Sequence, residues 1–198
     1  MKKLVFATGN MDKLREIKQI LADLDVEVLS MKEAGVNVYI VEDGKTFEEN
    51  ALIKARAVSK ASGHLALADD SGLEVDALDK EPGIYSARYM GEDTSYDIKN
   101  NNIIERLAGV PDEERTARFV CAMAAVFPDG TEKTFVRTME GRIGYEIAGA
   151  NGFGYDPIFY LPEYGKTSAE ISPEEKNEIS HRGKALRALA EYLADKEF

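Results

Sequence analysis

An apolar run, Leu65-Ala66-Leu67-Ala68, leads straight into two acids, Asp69 and Asp70, followed by Ser71 and Gly72. An apolar run of this length bounded by glycine reads as a buried strand. A strand that ends in two carboxylates and a tight turn holds negative charge at the edge of a core. That is costly unless a cation sits there. All-oxygen ligands suit Mg²⁺ or Mn²⁺. Asp, Ser and Gly are also the ordinary residues of a solvated turn, and on this segment alone both readings stay open.

The rest of the chain supplies elements that could surround such a strand. Residues 4–8 read as a first strand, followed by Gly9. Leu14, Ile17, Leu21 and Leu24 recur at helical spacing, which predicts an amphipathic helix over 11–24. Residues 26–31 resemble a second strand, so the chain opens as a βαβ unit. The stretch 35–45 is polar without a period and reads as a loop or a weak edge strand. Thr46 with Glu49 three residues on matches a capping box for a helix that stops near Gly63. A strand over 73–78 and a helix over 96–108 follow, the latter ending at Gly109. Residues 118–127 are apolar on both alternating faces, as in a central strand. Pro128-Asp129-Gly130 is a turn signal, and 134–139 returns as its antiparallel partner. A short strand over 158–161 and a last helix over 182–195, with Leu186, Leu189 and Leu193 on one face, complete a mixed α/β sheet. No repeat or linker divides the 198 residues, so one α/β unit, with room for two lobes around a cleft, is the simplest organisation.

Composition narrows the function. The net charge of −11 repels nucleic-acid backbones and anionic membranes, which argues against duplex or tRNA binding. A phosphate-bearing small ligand stays compatible if local cations offset that field. The single Cys121 cannot form an intrachain disulfide, which fits a reducing cytoplasm. The four-residue apolar run after Lys2 and Lys3 is too short for a signal core, and nothing has the length of a membrane span.

Four segments carry residues that packing does not explain. Thr8-Gly9-Asn10 with Lys13 lies between a strand and a helix N-terminus, where an anion is favoured; a plain turn with Asn10 as N-cap accounts for it too. Glu42 reads as an exposed acid that gains meaning only if it folds back near Asp70. Gly152-Phe153-Gly154-Tyr155-Asp156-Pro157 gives a backbone able to approach a ligand closely, with Phe153 or Tyr155 available to stack on a base; a glycine-rich bend before a strand explains it equally. Lys176, Ser180, His181 and Arg182 gather cations and donors at the start of the last helix, where cations are disfavoured by the dipole. A shared anionic ligand would resolve that conflict, and solvent-exposed basic residues are the plainer alternative.

Five motifs occur in order: Thr8-Gly-Asn-x-x-Lys13, Ala68-Asp-Asp-Ser-Gly-Leu-x-Val75, Pro82-Gly-Ile-Tyr-Ser-Ala-Arg88, Gly152-Phe-Gly-Tyr-Asp-Pro157 and Ser180-His-Arg182. Together they make the chain resemble the non-canonical purine nucleoside triphosphate pyrophosphatases, the inosine triphosphate pyrophosphatase family, over nearly its whole length. The resemblance implies residues 1–198 as one nucleotide pyrophosphatase domain, an elongated mixed sheet with flanking helices and two lobes around a central cleft, and a homodimer. It implies Mg²⁺-dependent hydrolysis of inosine, deoxyinosine and xanthosine triphosphates to monophosphate and pyrophosphate. By the same resemblance Asp70 corresponds to the general base and a metal ligand, Glu42 to another ligand, and Asp69 belongs to the metal site too, assisting from behind. Thr8, Gly9, Asn10, Lys13, Lys54 and Ser71 would meet the triphosphate. Phe153, Gly154 and Tyr155 would meet the purine, with Phe153 stacking on it, and Asp156, Lys176, His181 and Arg182 would surround the base edge. A related pyrophosphatase of the Maf-like group and a non-catalytic nucleotide sensor are the competing readings.

Overall fold

The computed structural model describes residues 2–196. In chain order the elements are β1 (Lys2–Phe6), α1 (Met11–Ile20), β2 (Val26–Ser30), α2 (Phe47–Ser62), β3 (Leu65–Val75), α3 (Tyr96–Arg106), β4 (Thr116–Val126), β5 (Glu132–Ile143), β6 (Phe159–Leu161), β7 (Lys166–Thr167), α4 (Pro173–Ile179) and α5 (His181–Leu193). The seven strands form one sheet in the order β2-β1-β3-β4-β5-β6-β7. β1 is parallel to both β2 and β3, and β6 is antiparallel to β5 and β7. β4 and β5 are neighbours joined only by 127–131, closed by Phe127 N–H donating to Thr131 O at 2.9 Å. A connection that short permits only antiparallel pairing. The expected mixed α/β sheet is therefore present.

The chain divides into two compact units. The first comprises the chain up to Asp70, Cys121–Arg137 and the chain from Arg182 on; the second comprises Ser71–Val120 and Thr138–His181. Each has its own core. In the first, Leu4, Phe6, Leu65, Leu67 and Met123 of the strands pack with Leu14 and Ile17 of α1 and Leu186 and Leu189 of α5. The helical spacing of these leucines follows from the need to bury one face, at roughly 1.5–3 kcal/mol per large side chain. In the second, Leu73, Val75, Phe119, Ile143 and Phe159 pack with Ile103 of α3 and with Leu107, which caps that helix.

Several boundaries differ from the sequence expectation. The most consequential is at the acid pair. Residues 65–75 are one continuous strand, so Asp69-Asp70-Ser71-Gly72 is not a turn, and no separate strand spans 73–78. The backbone hydrogen bonds of the sheet override the turn propensity of Asp, Ser and Gly, which is a weak local preference. α1 stops at Ile20, where Leu21 caps it, although Leu21 still packs in the core. Residues 36–44 form neither strand nor helix. Thr46 caps α2 by accepting Glu49 N–H, but Glu49 accepts from Lys45 N–H and not from Thr46, so only half of the expected box forms. Gly63 ends α2 at φ +69°, a left-handed cap that glycine adopts without Cβ strain. A full capping box instead starts α4, a helix the periodicity did not reveal, at Ser172 and Glu175.

Candidate active site

Successive side chains of a strand point to opposite faces. In β3 this sends the Asp69 and Asp70 side chains to different ion pairs, Asp69 with Lys13 and Arg182 and Asp70 with Lys54.

Asp69 shares its face with Leu65 and Leu67 and is 1% exposed. Lys13 Nζ lies 3.2 Å from its Oδ1 and 3.1 Å from its Oδ2. The Nε and Nη2 of Arg182, both 3.3 Å from Oδ2, reach it from α5. Arg182, itself 2% exposed, also pairs through Nη1 with Glu16 of α1. Burial works against its charge, but Asp69 and Glu16 outweigh it and hold the guanidinium well above its ordinary pKa. The cost of burying these charges is met only because each is paired. Asn10 is the N-cap of α1 and accepts from the amides of Asp12 at 2.9 Å and Lys13 at 3.2 Å, while its own N–H donates to Thr8 Oγ1. Those two first-turn amides are thus already engaged by a side chain.

Asp70 faces the other way, with its side chain 13% exposed. α2 delivers Lys54 to it: Nζ is 3.8 Å from Asp70 Oδ1, 2.9 Å from Glu42 Oε1 and 2.6 Å from the backbone oxygen of Asp69. Glu42 comes from the irregular segment before α2. One turn before Lys54, buried Asn50 accepts Gly44 N–H at 2.8 Å and pins that segment. A Cβ on Gly44 would sit 2.6 Å from Asn50 Oδ1, so the approach needs glycine. Burial raises the Asp70 carboxyl to a pKa of about 6; Lys54 and Lys13 pull it down, and Asp69 and Glu42 push it further up. Burial also disfavours the charge of Lys54, but Asp69, Asp70 and Glu42 outweigh it and raise its pKa. The Oδ2 of Asp70 is buried and has no hydrogen-bond partner among the described residues.

In the second unit the segment 152–157 is organised by Asp156, 2% exposed. Its Oδ2 accepts from Phe153 N–H at 2.9 Å and Lys176 Nζ at 2.7 Å, and its Oδ1 accepts from Ser168 Oγ at 2.7 Å. Gly152 and Gly154 have φ of +69° and +65°, and a Cβ on Gly152 would meet Asp156 Oδ2 at 2.2 Å. The Lys176 ammonium lies 4.8 Å over the half-buried Phe153 ring. Tyr155 is buried and donates its hydroxyl to Ser86 O at 2.6 Å; burial pushes its phenol well above the ordinary range. His181 is buried with its ring stacked on Phe119 at 5.0 Å.

The Ham1 family profile matches residues 4–192. The chain belongs to the Ham1 family. It is 46% identical over 199 residues to the dITP/XTP pyrophosphatase of Clostridium perfringens, covering 98% of each chain. It is 48% identical over 191 residues to the dITP/XTP pyrophosphatase of Desulforamulus reducens, covering 96% of this chain and 95% of that one. Among solved structures it is similar to a HAM1 protein from Coxiella burnetii, with TM-score 0.89 and 41% identity over 99% of this chain and 100% of the other.

In this Ham1 chain the sequence-predicted residues fall into three groups. Glu42, Lys54 and Asp70 come together, as do Lys13, Asp69 and Arg182, and in the second unit Phe153, Asp156 and Lys176. Arg182 was expected at a base edge; its guanidinium contacts Asp69 and Glu16. Sequence reading missed Glu16, Asn50 and Ser168, the side chains that hold Arg182, Gly44 and Asp156. Their partners lie 166, 6 and 12 residues away, and only Asn50 carries a local sign, an amide facing inward beside the helix start. Among the described residues no three His, Cys, Asp or Glu side chains form a ready metal cage. Glu42 and Asp70 nonetheless fit a hard divalent cation: both offer carboxylate oxygens, a lysine ammonium already answers their charge, and one buried Asp70 oxygen has no partner. No helix among the described residues is long and apolar enough to cross a membrane.

Proposed function

We propose that this chain hydrolyses non-canonical purine nucleoside triphosphates, namely dITP, ITP and XTP, to the monophosphate and pyrophosphate. The observation that carries this reading is the Glu42–Lys54–Asp70 group, where a mostly buried carboxyl with a pKa near 6 stands beside a second acid and an ammonium. Perturbed, buried acids of this kind are favoured where a proton must move near neutral pH. The names of the two close relatives supply the substrate class.

Glu42 and Asp70 would hold Mg²⁺, with Mn²⁺ as the alternative of similar ligand preference. When bound, such an ion neutralises phosphate oxygens and lowers the pKa of a coordinated water. Asp70 accepts the proton of the attacking water through one carboxylate oxygen. The water oxygen bonds to the α-phosphorus, and the bond from that phosphorus to the bridging oxygen breaks, releasing pyrophosphate. Lys54, and Lys13 with the Thr8–Asn10 turn and Ser71, offset charge on the leaving phosphates. Asp69 anchors Lys13 and Arg182 beneath that chemistry.

Phe153 stacks on the purine, and Lys176 and His181 with Asp156 read its edge, by family resemblance; Arg182, given to the same edge by that resemblance, is held by Asp69 and Glu16. Hypoxanthine and xanthine present a 6-oxo acceptor where adenine presents a donor. Each donor left unmatched inside the site costs roughly 1–3 kcal/mol, and several together discriminate well beyond tenfold. The same resemblance supports a cytoplasmic homodimer, readable by light scattering.

The test is a panel of nucleoside triphosphates with Mg²⁺, scored for pyrophosphate against single phosphate. Pyrophosphate from dITP, ITP and XTP well ahead of ATP and the pyrimidines is expected. Release of single phosphate, or preference for a pyrimidine triphosphate, overturns the reading.

A further inference from the structure

Tyr96, Lys99 and Asn100 stand at positions i, i+3 and i+4 of α3, so they share one helical face. That face meets the 152–157 segment of the same unit. Asn100 is 1% exposed, and its Nδ2 donates to Gly154 O at 3.1 Å. A carbonyl only accepts, so this contact settles which end of the amide faces the segment. The Oδ1 at the other end is buried without a partner among the described residues. An unmatched buried acceptor is unfavourable, so a purely packing role would be better served by an apolar side chain. The amide is retained for the donor it directs at Gly154.

The neighbours brace the same segment. The Tyr96 ring meets the Tyr155 ring edge-to-face at 5.2 Å. Lys99, also 1% exposed, donates to Ala87 O at 2.8 Å and lies 4.7 Å over the Tyr96 ring. Ala87 follows Ser86, whose carbonyl receives the Tyr155 hydroxyl. Gly154 sits between these anchors at φ +65°, a conformation whose peptide orientation is weakly restricted in glycine. A hydrogen bond to its carbonyl removes that freedom.

We propose that Asn100 is a positioning residue for base recognition, fixing the peptide after Gly154 and through it the neighbouring Phe153, with Lys99 and Tyr96 as its braces. The inference rests on the reading that 152–157 meets the purine. No part of it depends on the phosphate-binding group.

The test uses Asn100→Ala and, to keep the side-chain volume, Asn100→Leu, which lacks the donor. Hydrogen exchange of 152–157 reads the latch without substrate, and steady-state kinetics with ITP and ATP read the base. In either folded variant, exchange in 152–157 accelerates and KM for ITP rises about tenfold with kcat changed less than about threefold, the scale of one neutral hydrogen bond. The preference for ITP over ATP narrows, and inhibition by Mg²⁺–tripolyphosphate, which has no base, is unchanged. A merely structural residue would lower the melting temperature and kcat without moving KM or the preference. Unchanged KM and preference in a folded variant, or equal weakening of tripolyphosphate, overturns the proposal. A wild-type protein that releases no pyrophosphate would sink the functional reading instead; the exchange measurement still decides whether Asn100 holds Gly154.

Discussion

Lys54 Nζ lies 2.9 Å from Glu42 Oε1, an ion pair made across the start of α2 with both groups facing Asp70. The ammonium is the positive charge that lets two acids share a mostly enclosed corner. Lys54→Met removes it and leaves Glu42 and Asp70 to repel each other. Breaking one partner of a buried pair costs about 3–5 kcal/mol; Glu42 is partly exposed, so about 1–3 kcal/mol is expected here. Urea denaturation of the metal-free variant should show that loss, and Mg²⁺ should restore more stability to the variant than to the wild type.

Asp70 itself should be destabilising when ionised and unbound. Its folded-state pKa is raised from 3.8 to about 6 by burial first, with Lys54 and Lys13 opposing. A raised carboxyl favours folding in its protonated form, so its stabilising effect is present below pH 4 and is lost as pH rises through about 6. Asp70→Asn therefore stabilises the metal-free protein by about 1–3 kcal/mol at pH 8 and by nothing near pH 4. The same variant loses at least about a hundredfold in kcat if Asp70 is the proton acceptor, following the scale of general-base catalysis. Parallel melting curves at pH 4 and 8, with pyrophosphate release, check both halves. Equal stability at pH 8 would contradict the burial argument.

Much of this arrangement was legible in the chain, and the misses have physical causes. The leucine spacings of α1 and α5 located both helices because one-sided burial imposes a 3.6-residue period. The apolar run before Asp69 correctly marked a buried strand, but the turn expected at Asp69–Gly72 does not form. Local propensity cannot register the neighbouring strands that keep β3 extended to Val75. The value of the acid pair was visible as a charge problem; its solution was not. Opposite faces of one strand, with Lys13 and Arg182 on one side and Lys54 on the other, follow from the pleat only once the strand is known to continue. Asn100 and Ser168 stayed hidden because polar residues on helices and loops carry no periodic signal of their distant partners.

Arg182 should behave as a structural charge before any substrate arrives. Its partners Asp69 and Glu16 are both largely removed from water. Arg182→Met takes one buried cation from both Glu16 and Asp69, so a loss of about 3–5 kcal/mol is expected. Combining Arg182→Met with Glu16→Gln should recover part of it, since one of the two acids is then neutral. A double-mutant cycle in chemical denaturation measures the coupling.

Acid sensitivity should arise in part from Asp76. Arg118 donates to both of its oxygens at 3.0 and 2.9 Å, and Lys80 and Thr116 add further bonds. Arg118 first, then Lys80, hold this carboxyl well below the ordinary 3.8. A lowered carboxyl stabilises the fold above its unfolded pKa and loses that effect progressively as pH falls from there toward its folded pKa, well below. Asp76→Asn should cost about 1 kcal/mol at pH 7, because the site is partly exposed. The gap in melting temperature between wild type and variant should hold at neutral pH and narrow as pH falls from about 4 to about 3, and a gap that stays constant over that range would rule out this origin.

Gly152 offers the sharpest steric test of the second unit. Its φ of +69° disfavours any L side chain, and an added Cβ would lie 2.2 Å from Asp156 Oδ2. Asp156 cannot move aside freely, because Phe153 N–H, Lys176 and Ser168 hold its two oxygens. Gly152→Ala must therefore shift the segment that carries Phe153. The strain of a left-handed non-glycine residue is about 1–3 kcal/mol, small enough for the fold to survive. KM for ITP should rise about tenfold or more, on the scale of a displaced stacking contact. Inhibition by Mg²⁺–tripolyphosphate, which carries no base, should match the wild type. A variant with normal KM for ITP would show that 152–157 does not meet the base, whatever the rest of the site does.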